Sequence, residues 1–331
     1  MANGTILVTG CAGYIGSHVA RQLREAGENI VILDDLSTGF ESATLGAPLV
    51  VGNTGDRDVV SKLIETHRIE TVMHFAARTI VPESVADPLR YYGNNTCATR
   101  NLLECCQRQG VKHVVFSSTA AVYGIPEGGR AREDSPTAPI NPYGASKLMS
   151  EWMLRDVAAV NPMRYVVLRY FNVAGAHPGG EIGQATQGAT LLTKVACEAM
   201  VGIRPHVSVF GSDYPTPDGT GMRDYLHVED LAAAHLNALD YLRADGKSAT
   251  LNVGYGHGYS VRDVLRMVEK VGGKPLVIRE EPRRAGDPAY LVARADRIRQ
   301  ELGWRPRYDD LTAIVSHSLA WEKKLQREPW A

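Results

Sequence analysis

The chain has 331 residues, more than the ~100 to 200 of a typical single core, so two lobes are expected. Its 36 Lys and Arg against 37 Asp and Glu leave a formal charge of −1, which excludes bulk electrostatic attraction to nucleic acid or to an acidic membrane as the basis of its function. The five cysteines, Cys11, Cys97, Cys105, Cys106 and Cys197, are odd in number and form no Cys-x-x-Cys pair, so neither a metal centre nor a disulfide framework is expected, and a reducing cytoplasm fits.

Thr5-Ile-Leu-Val-Thr9 is a short β-branched run that stops at Gly10, and the next apolar residues, Ile15, Val19, Ala20 and Leu23, recur with helical spacing. That is strand, glycine loop, helix. Gly10, Gly13 and Gly16 permit a tight turn, close backbone approach to a pyrophosphate and close helix packing, and free N–H groups at the helix start make an anion site. A glycine triplet also suits a plain structural turn; the second strand, Ile30-Val-Ile-Leu33, decides by ending in Asp34, roughly 20 residues beyond the loop. A carboxylate there accepts both ribose hydroxyls and repels a 2′-phosphate, so the expected cofactor is NAD rather than NADP. Asp35 reads as a solvated turn residue.

Leu49-Val-Val51 reads as a third strand, with Asn53 just past its end either as a contact to an adenine edge or as a loop residue. Thr71 to Ala77 reads as a fourth strand whose small closing residues let a flat cofactor lie against backbone, with His74 as a satisfied strand histidine. The segment from Pro88 to Gln109 has a helical pattern interrupted by Asn94 and Asn95, amides that a helix interior disfavours, one of them a candidate to face the cofactor. Val114 to Thr119 is a fifth strand ending in three hydroxyls; they cap a turn or, in the case of Thr119, donate to a substrate oxygen.

Tyr143 and Lys147 then stand four residues apart, on one face of a helix. A phenol loses its proton near pH ~10, so a phenolate base at neutral pH needs about 4 kcal/mol of assistance. A lysine ammonium about 5 Å away at an effective dielectric near 20 supplies roughly 3 kcal/mol of it, and a cationic nicotinamide ring would add more. Tyr165 to Arg169 is a sixth strand. Alternating strands and helices from Thr5 to Arg169 give an α/β fold with a doubly wound parallel sheet.

From Ala174 the chain turns to Pro/Gly/Asp-rich loops, His177 to Gly180 and Tyr214 to Gly221, around one apolar helix from Ala189 to Met200. Asp230 onward reads as a packed helix, Thr250 to Val253 as a strand, Pro275 to Arg279 as another, and two helices close the chain through Leu319. No internal repeat or coiled coil is evident. The start of the chain runs directly into a strand without a signal core, and no apolar run approaches about 18 residues, so a soluble, unprocessed protein is expected.

Taken together, Thr9-Gly-Cys-Ala-Gly-Tyr-Ile-Gly16, Asp34, Asn95, Phe116-Ser-Ser-Thr119, Tyr143-Gly-Ala-Ser-Lys147, Arg169-Tyr-Phe-Asn172, Gly175-Ala-His-Pro178, Gly221-Met-Arg-Asp-Tyr225 and Arg284-Ala-Gly-Asp287 resemble the motifs of the UDP-glucose 4-epimerase family, extended short-chain dehydrogenase/reductases, over nearly the whole chain. The resemblance implies a Rossmann domain of residues 1–173 plus 223–254 and a smaller α/β UDP-sugar lobe of residues 174–222 plus 255–331. It implies Tyr143 as the base at the sugar 4-hydroxyl, Lys147 as the group that holds the nicotinamide ribose and acidifies the phenol, and Thr119 as a partner in the hydrogen bond to that hydroxyl. NAD would lie on Gly10, Gly13, Tyr14, Ile15, Gly16, Asp34, Asn53, Phe75, Ala76, Ala77, Asn95, Tyr143, Lys147 and Tyr170. A UDP-sugar would meet Thr119, Tyr143, Asn172, Thr190, Arg223, Arg284 and Asp287, the arginines gripping a diphosphate with bidentate bonds. No metal is implied. Relatives of this kind usually dimerise, and the segments 88–109 and 143–160 are the expected interface.

Three positions depart from the family pattern. Asn53 stands where an Asp is usual, Leu191 where Asn or His usually touches the phosphate, and Leu291 where some members carry a Tyr that narrows the pocket. The last leaves UDP-N-acetylhexosamines and UDP-pentoses open as substrates. A sugar 4,6-dehydratase would need Asp-Glu after the hydroxyl residue, where this chain has Ala120-Ala121. A UDP-glucuronate decarboxylase, and an NAD-sensing regulator on the same fold, are the remaining alternatives.

Overall fold

In the computed structural model, which describes residues 4–284 and 286–330, seven strands form one parallel sheet: β1 (Thr5–Thr9), β2 (Ile30–Asp34), β3 (Leu49–Val51), β4 (Ile69–His74), β5 (His113–Thr119), β6 (Arg164–Tyr170) and β7 (Ala249–Val253). Their order is β3-β2-β1-β4-β5-β6-β7. The chain leaves β1 toward β2 on one side and enters β4 on the other, so the order reverses between β1 and β4, where open α/β sheets bind ligands.

The alternation of side chains along each strand divides the core in two. Ile6 and Val8 of β1, Ile30 and Ile32 of β2, Val115 of β5 and Leu168 of β6 pack with Val19 and Leu23 of α1 (Tyr14–Glu25) and Leu231 and Leu239 of α6 (Val228–Arg243). Leu7, Val31, Leu33, Val114 and Phe116 face the other way, onto Val60 and Leu63 of α2 (Arg57–His67), Leu102 of α3 (Ala98–Arg108) and Leu154 of α4 (Pro142–Val160). Both faces are covered, which is why these strands read as continuous apolar runs. Each such side chain contributes about 1.5–3 kcal/mol by leaving water.

α4 starts where the sequence dictates: the Asn141 side chain accepts the Gly144 N–H at 2.8 Å, and Pro142 occupies the first turn, where its missing N–H costs nothing. Three further helices, α5 (Leu192–Met200), α7 (Val261–Gly272) and α8 (Leu311–Arg327), lie in the second half.

Several boundaries differ from the sequence expectations. β4 begins at Ile69 and ends at His74, leaving Phe75, Ala76 and Ala77 in the loop beyond it. The segment from Pro88 is a single helical turn to Tyr91, a wide π turn over Tyr92–Cys97 that contains both amides, and then α3. α5 starts three residues late because Leu191 is extended. The strand expected over 275–279 forms at Ile278–Glu281, since proline cannot donate to a ladder, and it pairs with Val207–Phe210, a strand the sequence reading missed. α8 continues past Leu319 to Arg327.

A four-stranded sheet orders Tyr259–Ser260, Met222–Arg223, Tyr290–Ala293 and Arg130–Ala131. The last of these comes from the segment between β5 and α4, so the second half of the chain is sewn to the first by hydrogen-bonded strands, and Asn172–Ala174 pairs with Tyr225–His227. Among the described residues, no helix is long and apolar enough to cross a membrane, and all five cysteines are free.

Candidate functional site

The glycine loop explains itself by what a side chain would meet. A Cβ on Gly10, whose φ is +71°, would stand 2.4 Å from the Ala76 nitrogen, and one on Gly16 would stand 2.6 Å from the Gly10 oxygen. Those two glycines let β1, the β4 loop and α1 close on one another. Gly13 differs: its Cβ would find one neighbour, the Gly10 oxygen at 3.3 Å. Its open side leaves the backbone bare at the start of α1, where no side chain caps the helix. That is the cradle an anionic pyrophosphate requires.

Asp34, at the end of β2, is buried; one carboxylate oxygen accepts the Ala12 N–H at 2.8 Å and the other the Leu36 N–H at 2.9 Å. Burial lifts its pKa while the two backbone donors oppose that, and Asp35 raises it further. The carboxylate is thereby fixed beside the loop with lone pairs to spare. The glycine cradle and the fixed acceptor fit an NAD molecule laid across the carboxyl ends of β1, β2 and β4.

Other residues expected around that cofactor are placed unequally. The backbone of Phe75 and Ala76 lies against Gly10, Ala77 follows them in the loop, and Tyr170 ends β6 opposite Thr119 of β5. Ile15 is half-buried and packs on the core. The Tyr14 hydroxyl donates to the Gly175 carbonyl at 2.6 Å, so its side chain ties α1 to the second half of the chain. Asn53 closes an Asx turn, its oxygen accepting the Gly55 N–H at 2.8 Å and its amide donating to Asp35 at 3.3 Å. Asn95 is buried and satisfied by protein: its NH2 donates to the Arg78 carbonyl and the Ser146 hydroxyl, both at 3.0 Å, and its oxygen accepts from the Arg78 N–H at 2.8 Å and from Asn94 at 3.1 Å. Its side chain braces the cleft wall.

His74 is the satisfied histidine the sequence suggested, between Thr9 at 2.6 Å and Thr99 at 2.9 Å.

Tyr143 and Lys147 are both buried on the inner face of α4. The Lys147 ammonium donates to the Ser117 carbonyl at 2.8 Å and sits 5.0 Å from the centre of the Phe116 ring. Burial lowers its pKa to about 7, with Glu151 opposing. Burial likewise pushes the Tyr143 phenol well above its ordinary value; Tyr170 and Tyr91 add to the rise and a hydrogen bond with the Thr119 hydroxyl counters it. Tyr91 meets the Tyr143 ring edge-on at 6.5 Å. Desolvation is the largest influence on both groups and drives each toward its neutral form, and the lysine's charge is directed at a carbonyl.

The expected UDP-sugar residues assemble in part. Arg223 donates to Asp287 at 3.1 Å and to the Met222 carbonyl at 2.9 Å. Leu291 is the strand partner of Arg223, so the residue that departs from the family pattern flanks the arginine. The Arg284 guanidinium is exposed, 3.7 Å from the centre of the Phe210 ring. Asn172 begins the strand that pairs with Tyr225–His227, and Thr190 is exposed on the extended lead into α5.

Sequence reasoning missed the layer behind Lys147. Glu151, one turn further along α4, accepts from Arg169 Nε at 3.0 Å and Nη2 at 2.5 Å, and from Ser118 at 2.5 Å. Arg169 also donates to the Tyr123 hydroxyl at 3.0 Å. The i, i+4 spacing of Lys147 and Glu151 was the available signal.

Comparison with known proteins agrees with this geometry. The model of the family described as NAD dependent epimerase/dehydratase matches residues 6–254. A UDP-glucose 4-epimerase of Azospirillum brasilense is 55% identical over 327 residues, 98% of this chain and 94% of that protein. A solved UDP-glucose-4-epimerase from Stenotrophomonas maltophila, with bound NAD and formylated UDP-arabinopyranose, matches with a TM-score of 0.95 and 39% identity over 98% of this chain and 99% of that one. The UDP-Glc/GlcNAc 4-epimerase of Campylobacter jejuni matches with a TM-score of 0.85 and 46% identity over 97% of this chain and 100% of that one. The fold, the cradle and these matches agree, and the chain belongs to the NAD-dependent epimerase/dehydratase family.

Proposed function

We propose that the protein interconverts UDP-galactose and UDP-glucose by inverting carbon 4 of the hexose, with NAD retained throughout. The observation that carries this reading is the pair Tyr143 and Lys147, buried on one face of α4, with the Thr119 hydroxyl against the phenol. When bound, NAD supplies a hydride acceptor that returns what it takes, so no net redox change occurs. Tyr143 takes the proton of the 4-hydroxyl and gives it back, and Thr119 shares the hydrogen bond to that oxygen. Lys147 holds the nicotinamide ribose; its positive charge and that of the oxidised nicotinamide favour the phenolate that burial alone suppresses.

Asn172, Thr190, Arg223, Arg284 and Asp287 hold the nucleotide end, the arginines engaging the diphosphate. Binding energy then rests on the part of the substrate that does not react, leaving the hexose free to turn and present its other face. Asp34 and the turn of Gly10, Gly13 and Gly16 hold the dinucleotide, with Tyr14 and Asn95 acting by positioning its walls. The test is turnover of UDP-galactose without added NAD: Tyr143→Phe is expected to lose about 100-fold or more in kcat, and turnover matching the wild type would overturn the assignment.

A second sugar class is favoured by one observation. Leu291 lies beside Arg223 in place of a larger ring, and a relative 46% identical is a UDP-Glc/GlcNAc 4-epimerase. Acceptance of UDP-N-acetylgalactosamine follows, and its absence from the turnover assay would remove it. We also propose a cytoplasmic homodimer, in keeping with five free cysteines and with exposed Leu89, Met149, Trp152 and Val160 along the segment at Pro88 and α4.

A further inference from the structure

The loop that follows Asp34 folds back over the glycine turn. The Phe40 N–H donates to the Ala12 carbonyl at 3.0 Å, and Gly39 passes so close that a Cβ on it would stand 2.7 Å from Ala12. Ala12 is the residue whose own N–H is fixed by Asp34 at 2.8 Å. The loop is thus attached to both groups assigned to the dinucleotide, and it bends through Leu36, a non-glycine residue with φ of +57° held by the Asp34 carboxylate.

What restrains this loop from outside lies far along the chain. The Phe40 ring meets Trp330 at 5.9 Å with an interplanar angle of 61°, and Trp330 meets Trp321 of α8 at 4.9 Å and 76°. Trp321 is 1% exposed and donates its indole N–H to the Gln184 carbonyl at 3.1 Å, while Thr186 of the same segment donates to the Thr38 carbonyl at 3.4 Å. A row of rings, Phe40, Trp330, Trp321, therefore ties the cofactor loop to a buried anchor on the last helix. The edge-to-face angles are those at which a positive ring edge meets a negative face.

We infer that Trp330 and Phe40 form a latch that sets how long NAD stays bound. They are positioning residues: neither is assigned a contact with NAD or the sugar, and each acts by holding the loop of residues 35–40 down on the glycine turn. The inference rests on the assignment of Gly10 to Gly16 and Asp34 to NAD. A reaction in which the hydride must be returned needs the dinucleotide to outlast the oxidised sugar, and lifting this loop to release it breaks the Phe40–Trp330 contact.

The test is exchange of bound NAD against excess adenine-labelled NAD in purified holoenzyme. Trp330→Ala and Phe40→Ala are each expected to speed exchange about threefold to tenfold, the size of one aromatic pair. The double variant is expected to be no faster than the faster single, because both remove one contact. Trp330→Phe should restore slow exchange, and kcat at saturating NAD should stay within about twofold of wild type in all of them. Unchanged exchange in both single variants, or strictly additive effects in the double, would overturn the latch. Asp34→Ala separates the two claims: if it too keeps NAD as the wild type does, the cofactor assignment has failed rather than the latch.

Discussion

Tyr143 gains its chemistry from what surrounds it rather than from its own position on a helix. Burial pushes the phenol up and the Lys147 ammonium down to about 7, so desolvation works against the charged form of both. Glu151 opposes the fall of the lysine while bonded to Arg169 and Ser118. Replacing it by Gln keeps the shape and removes the charge. Lys147 should then lose its proton at lower pH, moving the alkaline limb of the pH–kcat profile to more acid values; an unmoved limb would show that Glu151 does not tune the lysine.

The residues legible in the sequence were those whose chemistry is intrinsic: Gly10, Gly13 and Gly16 by their missing side chains, Asp34 by its charge at a strand end, Tyr143 and Lys147 by their spacing. Asn95 stands out in the sequence as an amide in a helical segment, and the structure gives it partners far along the chain. It sits in a π turn and is consumed by Arg78 and Ser146, neither of which its sequence neighbourhood reveals.

At the scale of elements, β1, β2, β5 and β6 were legible as apolar runs covered on both faces, whereas β3, with Val51 63% exposed, was legible from its Leu-Val-Val run alone. The strands Met222–Arg223 and Tyr259–Ser260 were not, since two residues carry no periodicity, and Val207–Phe210 owes its pairing to a strand about 70 residues later. α4 presents two faces of different character. Its inner face carries Tyr143 and Lys147; its outer face exposes Met149 and Trp152, the latter at 46%. If that face joins two copies, Trp152→Glu should shift the protein to monomer in sedimentation velocity while leaving the glycine cradle able to hold NAD. A variant that sediments as the wild type would place any dimer contact elsewhere.

At the scale of the whole molecule, buried histidines held below their ordinary value predict sensitivity to acid. Burial, the largest cause in each case, holds His74 and His227 near 3 and His235 near 4, with Lys147 adding to the fall of His74 and His317 to that of His227. Unfolded, each would take up a proton near pH ~6.5. Below that pH the unfolded chain binds protons the folded one refuses, so stability present above pH ~6.5 falls as pH drops, by about 1.4 kcal/mol per pH unit for each histidine. Glu322 works the other way: burial raises it to about 7 despite Lys194, so the folded state gains a proton as pH falls toward the ordinary carboxylate range. His18, His113 and His317 are lowered as well, while Asp34, Asp224, Asp230 and Asp240 are raised with Glu322 and oppose them, so a net loss of stability is expected between about pH 6 and 4.5. Urea midpoints that stay level across that window would contradict this balance.

Arg130–Ala131 pairs with Tyr290–Ala293, which in turn pairs with Met222–Arg223, so the strand that joins the second half of the chain to the first is also the neighbour of Arg223. The proposed reaction needs retained NAD and a hexose free to turn in one cleft. The most direct measurement of that claim follows an isotope: UDP-galactose carrying deuterium on carbon 4, converted in ordinary water with no added NAD. A hydride that leaves and returns within the same protein molecule predicts UDP-glucose with the deuterium still on carbon 4, and loss of the label to solvent would contradict the account.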